Sequence, residues 1–201
     1  MRDECYYPYF MLFINPTREG KALVSTCCNN FFRRENCHVV DAEILDTWNS
    51  VRFRFQRKLL STHDWSHCIG SDCAYIPYDA GDKFATFPDV RDAIAKKETL
   101  LGYFPKKLFL VPTLQCNNNC YFCYCRKYRL GGGGAYRSFT LSTKLLQEIK
   151  EKIVPVVEAI TLSGGEAFYA PESLDLIEAI SSYSPEKNLS VFTNGTLLHR
   201  F

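Results

Sequence analysis

Apolar and polar positions are arranged differently in the two parts of the chain. Tyr6 to Ile14 and Ala22 to Thr26 are apolar runs of strand length, separated by the turn-rich Asn15-Pro16-Thr17-Arg18-Glu19-Gly20. This predicts a hairpin with a long loop. Ile44, Trp48, Val51, Phe55 and Leu59 then recur at three- and four-residue steps, which predicts one apolar helical face that Asn49-Ser50 can break into two helices. Residues 74–88 are irregular and aromatic, and Val90, Ile94 and Leu101 mark a short helix before Pro105. A boundary is expected near residue 105.

Beyond it, strand and helix patterns alternate. Leu108 to Thr113 reads as a strand, followed by a cysteine-rich loop and a helix over about 141–154 that Pro155 stops, with Leu145, Leu146, Ile149 and Ile153 inside. Ala159 to Ser163 is a second strand. Pro171 sits where a first helical turn tolerates it, ahead of Leu174, Ile177 and Ile180, and Leu189 to Thr193 is a third strand. Such a repeat predicts an α/β fold with a parallel sheet whose strand-end loops carry the chemistry.

Composition narrows the chemistry. At 46% hydrophobic and 23% charged, the 201-residue chain can bury a sizeable core. Twenty-four basic against 22 acidic residues, a net charge of +2, give no broad footprint for nucleic acid or an anionic membrane. The start, MRDECYYPYFMLFINPTREG, lacks the pattern of a signal peptide. The longest apolar runs, Tyr9 to Ile14 and Leu108 to Pro112, fall far short of the roughly 20 residues that cross a bilayer. A cytoplasmic location is therefore expected, and the 10 cysteines read as metal ligands or redox thiols, not as disulfides.

The cysteines fall into two sets. Cys5, Cys27, Cys28, Cys37, Cys68 and Cys73 are scattered, whereas Cys116, Cys120, Cys123 and Cys125 lie within ten residues. Three closely spaced thiolates can hold three irons of a four-iron cluster and leave the fourth open to a substrate or cofactor. With Cys125, four sulfurs could instead form a tetrahedral zinc site, although a three-residue gap followed by a two-residue gap is unusual for zinc ribbons.

In this motif, Cys116-Asn-Asn-Asn-Cys120-Tyr-Phe-Cys123 directly after a strand, the chain resembles the radical SAM enzymes. The resemblance covers about residues 106–201. Ser163-Gly164-Gly165-Glu166 after the second strand matches the family's GGE motif, and Thr193-Asn194-Gly195 after the third matches a polar turn often found there. The resemblance implies a [4Fe-4S] cluster on Cys116, Cys120 and Cys123 that chelates S-adenosylmethionine (SAM). It implies Gly164, Gly165 and Glu166 at the methionine amino group, Phe122 beside the adenine and Asn194 near the ribose. The reaction implied is reductive cleavage of SAM to a 5′-deoxyadenosyl radical, which takes a hydrogen atom from a substrate. The fold implied is the first part, about three βα units, of a parallel partial TIM-type barrel, preceded by a small α+β cysteine-containing module.

Several features depart from this pattern. Ala167 stands where many members carry Pro, Cys125 is an extra thiol, and Gly131 to Gly134 lack the Gly-Lys-Ser/Thr of a phosphate cradle and read as a flexible loop. At about 31 residues per strand-helix unit, residues 106–201 supply about three units. The family's common partial barrel has six, so the chain is expected to be a fragment, a truncated gene product or one half of an assembly, without the later barrel strands that activity would draw on.

The first third resembles the SPASM or twitch modules that carry auxiliary clusters in many radical SAM proteins. The match rests on Cys5, Gly20 leading into Cys27-Cys28, Asp46-Thr47-Trp48-Asn49-Ser50, Cys68 and Cys73. The organisation expected is an auxiliary module over 1–80, a linker with a short helix over 81–105 and the barrel segment over 106–201. A second [4Fe-4S] cluster on Cys5, Cys28, Cys68 and Cys73 is one reading, with Cys28 preferred over Cys27 from the family's paired cysteines. A zinc site of His63, His67, Cys68 and Cys73 is the other. Cys37 reads as a small buried side chain. The partners implied are a flavodoxin or ferredoxin reductant and a peptide substrate. The alternative function is a non-catalytic iron–sulfur or zinc protein that carries electrons or binds a partner.

Overall fold

The computed structural model describes residues 5–27, 34–66, 68, 87–123, 125–126, 139–183 and 187–200. Six strands form one sheet in the order β3-β2-β1-β4-β5-β6: β1 Met11–Pro16, β2 Ala22–Ser25, β3 His38–Val40, β4 Lys107–Leu110, β5 Ala159–Leu162 and β6 Asn188–Val191. Pairs β1·β4, β4·β5 and β5·β6 are parallel, and the β1·β2 and β2·β3 pairs are antiparallel. The fold is mixed α/β with a mostly parallel sheet. All three strands expected after residue 105 form within a residue or two of their predicted positions at the start, and each ends earlier than predicted.

The first strand begins later than its apolar run suggested. Tyr7–Phe10 is a single helical turn, α1, with Pro8 near its start, where a missing N–H costs nothing. The hairpin of β1 and β2 does not stand apart from the later strands. Leu12 pairs with Leu108 and Ile14 with Leu110 in parallel register, so the sheet runs across the boundary expected near residue 105. Along β4 and β5 alternate positions are buried, Leu108 and Leu110 on one strand and Ile160 and Leu162 on the next. On the opposite face Phe13 packs on Phe109 at 5.3 Å, and Phe109 on Phe192 at 6.4 Å. That face is more open, because Phe192 is 61% exposed.

The helix predicted from Ile44 to Leu59 is broken at Asn49-Ser50, into a 3-10 turn over Ile44–Thr47 and helix α2 over Val51–Ser61. Ser50 caps α2 by accepting from the Phe53 N–H. Its inward face is not the predicted one: Val51 and Phe55 are exposed, while Phe53, Gln56 and Arg57 are buried. The physical reason is the set of carbonyls waiting for Arg57. Its Nε donates to Pro8 O at 2.8 Å, its Nη1 to Asn49 Oδ1 at 3.2 Å and Thr99 O at 2.9 Å, and its Nη2 to Trp48 O at 2.7 Å. The guanidinium also lies 4.5 Å from the centre of the Trp48 ring. Burial pushes the group down to about 10, so it is still charged at neutral pH.

This knot holds the approach to β4. Trp48 Nε1 donates to Tyr103 O, and Asn49 both donates to Leu101 O and accepts from Leu101 N–H. Helix α3, Pro88–Ala95, precedes that segment and buries Val90 and Ala93. On the other side, helix α4, Thr143–Glu148, is capped by Ser142 and continues as a π-helical turn over Ile149–Ile153. Leu145, Leu146, Ile149 and Ile153 are buried there, as their spacing predicted. Glu148, also buried, accepts from the N–H groups of Glu43 and Ile44 at 2.9 and 2.7 Å. Helix α5, Pro171–Tyr183, turns Leu176 and Ile180 inward. Among the described residues no helix is long and apolar enough to cross a membrane.

Candidate active site at the ends of three parallel strands

Strands β4, β5 and β6 run in parallel, so their C-terminal ends lie side by side, and each of the three motifs begins within six residues beyond one of them. The chain leaves β4 through Val111, Pro112 and Thr113. Thr113 is buried and bridges to Thr140, with its hydroxyl 2.7 Å from the Thr140 hydroxyl. Leu114 N–H donates to Phe139 O and Leu141 N–H to Pro112 O. These bonds fix the root of the cysteine loop before its first thiol.

The turn after β5 is stitched to that root. Ser163 N–H donates to Leu110 O, Gly165 N–H to Thr113 O and Glu166 N–H to Gln115 O, at 3.0, 3.1 and 2.8 Å. Gly164 has φ +118°, a conformation that side chains resist, and a Cβ there would sit 2.6 Å from Thr113 O. Gly165 approaches the 114–115 main chain so closely that only a hydrogen fits in place of its side chain.

Glu166 then joins this turn to the third loop. Its side chain is 1% exposed, and a carboxylate so buried must be matched by donors. Phe168 N–H and the Thr193 hydroxyl donate to Oε1 at 3.0 and 2.7 Å, and Asn194 N–H donates to Oε2 at 2.7 Å. Such charge-assisted bonds are the stronger kind. Thr193 was read only as part of a polar turn; the structure gives it a defined partner.

Cys116, Cys120 and Cys123 are free and half-buried. Cys123 N–H donates to Cys120 O and Arg126 N–H to Cys123 O, which winds the end of the loop into turns. Asn118 N–H lies 3.4 Å from Cys116 Sγ. Phe122 is 78% exposed and meets Tyr121 edge to face at 5.4 Å. Cys125 directs its thiol to Gly164 O at 3.6 Å. Arg126, which sequence reasoning passed over, carries a buried Nε without a hydrogen-bond partner among the described residues.

The donor set suits an iron–sulfur cluster. Three thiols share one loop, and the Asn118 N–H faces the Cys116 sulfur, as thiolate ligands of such a cluster commonly accept. Among the described residues no three His, Cys, Asp or Glu side chains are gathered in metal-binding geometry. The three thiols therefore share a loop without converging.

Of the N-terminal set, Cys5, Cys27, Cys37, Cys68 and His63 are among the described residues, and those residues gather no metal-binding group. Cys5 lines a cavity of about 110 Å³ with Tyr6, Tyr9, His63 and Lys97. Cys27 accepts at its carbonyl from the Ser25 hydroxyl, and Cys68 N–H donates to Trp65 O. Cys37 is buried. Cys28, Cys73, His67 and the Gly131 to Gly134 run lie outside the described residues.

Comparison with known proteins bears on the same segment. Residues 110–200 match the model of the radical SAM superfamily. A GTP 3′,8-cyclase of Trichodesmium erythraeum (strain IMS101) is 34% identical over 93 residues, covering 43% of this chain and 26% of that protein. The chain thus spans about a quarter of the length of the curated relative it matches. No solved structure matches the chain significantly. Residues 110–200, which hold all three strand-end motifs, are thus the segment similar to the radical SAM superfamily.

Proposed function

We propose that the chain carries a SAM-dependent radical site built on the three strand-end loops, with Cys116, Cys120 and Cys123 as ligands of a [4Fe-4S] cluster. The observation that carries this reading is the order and linkage of the loops: cysteines after β4, Gly-Gly-Glu after β5 and Thr-Asn-Gly after β6, all joined through Glu166 and the main chain. When bound, the cluster and SAM supply one-electron cleavage of a carbon–sulfur bond and a radical able to abstract hydrogen.

The chain's own residues do the positioning. The absence of side chains lets the Gly164-Gly165 turn close on the root of the cysteine loop, and main-chain carbonyls of such a turn suit an ammonium group such as that of methionine. Glu166 fixes the distance between that turn and the β6 loop. The exposed Tyr121 and Phe122 rings offer a stacking surface for a planar base. An electron donor of the flavodoxin or ferredoxin class and a peptide substrate are the partners this reading takes, together with a second cluster drawing on Cys5, Cys28, Cys68 and Cys73.

Anaerobic reconstitution tests it. The protein is expected to take up about four iron and four sulfide per chain if the loop alone is loaded, or about eight of each with the second set. After reduction it should release 5′-deoxyadenosine from SAM, and Cys120→Ala should abolish that release. Bound zinc with no cleavage by the native protein would overturn the reading.

A further inference from the structure

The side chain of Asn194 is fully engaged. Its Oδ1 accepts from Thr196 N–H at 3.0 Å and from the Thr196 hydroxyl at 2.6 Å. Its Nδ2 donates to Asn117 Oδ1 at 3.0 Å and lies 3.8 Å from Cys116 Sγ. Asn117 Nδ2 in turn donates to the Thr196 hydroxyl at 2.8 Å. The three side chains form a closed ring: Asn117 gives to Thr196, Thr196 to Asn194, and Asn194 back to Asn117. Each atom acts within its capacity.

The ring also fixes which way the amide faces. The Thr196 main-chain N–H can only donate, so the atom beside it must be the Asn194 oxygen, and the nitrogen is left facing Asn117 and Cys116. The short turn from Asn194 to Thr196 is one that asparagine favours through this same side-chain bond. With the Asn118 N–H, two donors then face the Cys116 sulfur.

We propose that Asn117 and Asn194 are positioning residues for Cys116, forming with Thr196 a clamp that holds the cysteine loop on the β6 turn and aims an amide N–H at the sulfur. This rests on the reading of Cys116 as a cluster ligand. N–H groups that donate to a metal-binding sulfur orient that ligand and slow the loss of its metal.

Asn194→Asp separates the clamp from the turn, because it keeps an oxygen for Thr196 but loses both N–H donors. Hydrogen exchange on the metal-free protein is expected to run several-fold faster over residues 114–120 in Asn194→Asp and in Asn117→Ala, with β4 and β5 unchanged. The double variant should be no faster than the singles, as members of one unit are not additive. After reconstitution, iron should pass to a chelator several-fold faster from Asn194→Asp than from the native protein. Native exchange rates in Asn194→Asp would overturn the clamp, and faster exchange with unchanged iron release would overturn its action on Cys116. A native protein that takes up no iron would sink the ligand reading, while the exchange rates would still decide whether the clamp exists.

Discussion

Arg57→Met is expected to cost about 3–5 kcal/mol of folding stability, read as a shift in urea midpoint or as a fall in Tm on the order of 10 °C. The loss is large because the substitution removes a donor that serves three main-chain carbonyls at once. Pro8 O, Trp48 O and Thr99 O all accept from this guanidinium. A methionine fills much of the volume but supplies no N–H, and each buried carbonyl left without a partner costs about 1–3 kcal/mol. Asn49 Oδ1 is spared, since Leu101 N–H still donates to it. Arg57→Lys should fall between, because an ammonium can reach one or two of these oxygens but not the fork of a planar guanidinium. Arg54→Ala, on the exposed side of the same helix, should change stability by no more than about 0.5 kcal/mol. A methionine variant as stable as the native protein would show that the carbonyls find other partners.

Arg57 also marks where sequence reading stopped. Counting apolar residues along α2 selects Val51, Phe55 and Leu59, because an arginine is scored as polar and placed outside. The buried set, Phe53, Gln56 and Arg57, sits at three- and four-residue steps just as the predicted set does. Only the positions of Pro8, Trp48 and Thr99 decide between the two faces, and those are set by tertiary structure. Trp48, Asn49 and Ser50 were drawn into a resemblance to an auxiliary-cluster module. Each has a structural duty here: Trp48 and Asn49 hold the 101–103 segment, and Ser50 caps α2. Any case for a second cluster therefore has to rest on the cysteines.

The later half was far more legible. Leu108, Leu110, Ile160 and Leu162 alternate with half-exposed neighbours, and this period identifies strands whatever they pair with. The motifs follow at their ends. The β1 to β4 pairing could not be read, because two strands separated by more than ninety residues become neighbours only when the sheet is assembled. The bonds of Thr193, Asn117 and Thr196 could not be read for a related reason. Polar residues in loops carry no periodic signal, and each finds its partner across a gap in sequence, Thr193 with Glu166 and Asn117 with Asn194 and Thr196. The one local sign was an asparagine two residues before a threonine, which favours the turn but does not reveal the clamp.

Gly165→Ala should disable the site with little change elsewhere in the sheet. A Cβ at this position would overlap the Gln115 carbonyl oxygen and lie 2.5 Å from Gln115 C and 2.7 Å from Leu114 C. These are main-chain atoms of the cysteine loop's root, so no side chain can swing aside to make room. The β5 turn and the loop must separate, which breaks the bonds from Gly165 N–H to Thr113 O and from Glu166 N–H to Gln115 O. Glu166 is then drawn away from Thr193 and Asn194, leaving a buried carboxylate short of donors. Together these effects are expected to cost about 2–4 kcal/mol. Cys116 follows Gln115 directly, so iron uptake on reconstitution should fall several-fold even at temperatures where the variant remains folded. Gly102→Ala is the matched control, since a Cβ there meets nothing within 4 Å, and it should leave both stability and iron uptake near native values. If Gly165→Ala reconstitutes as well as that control, the close approach of the two loops does not govern how the cysteines are presented.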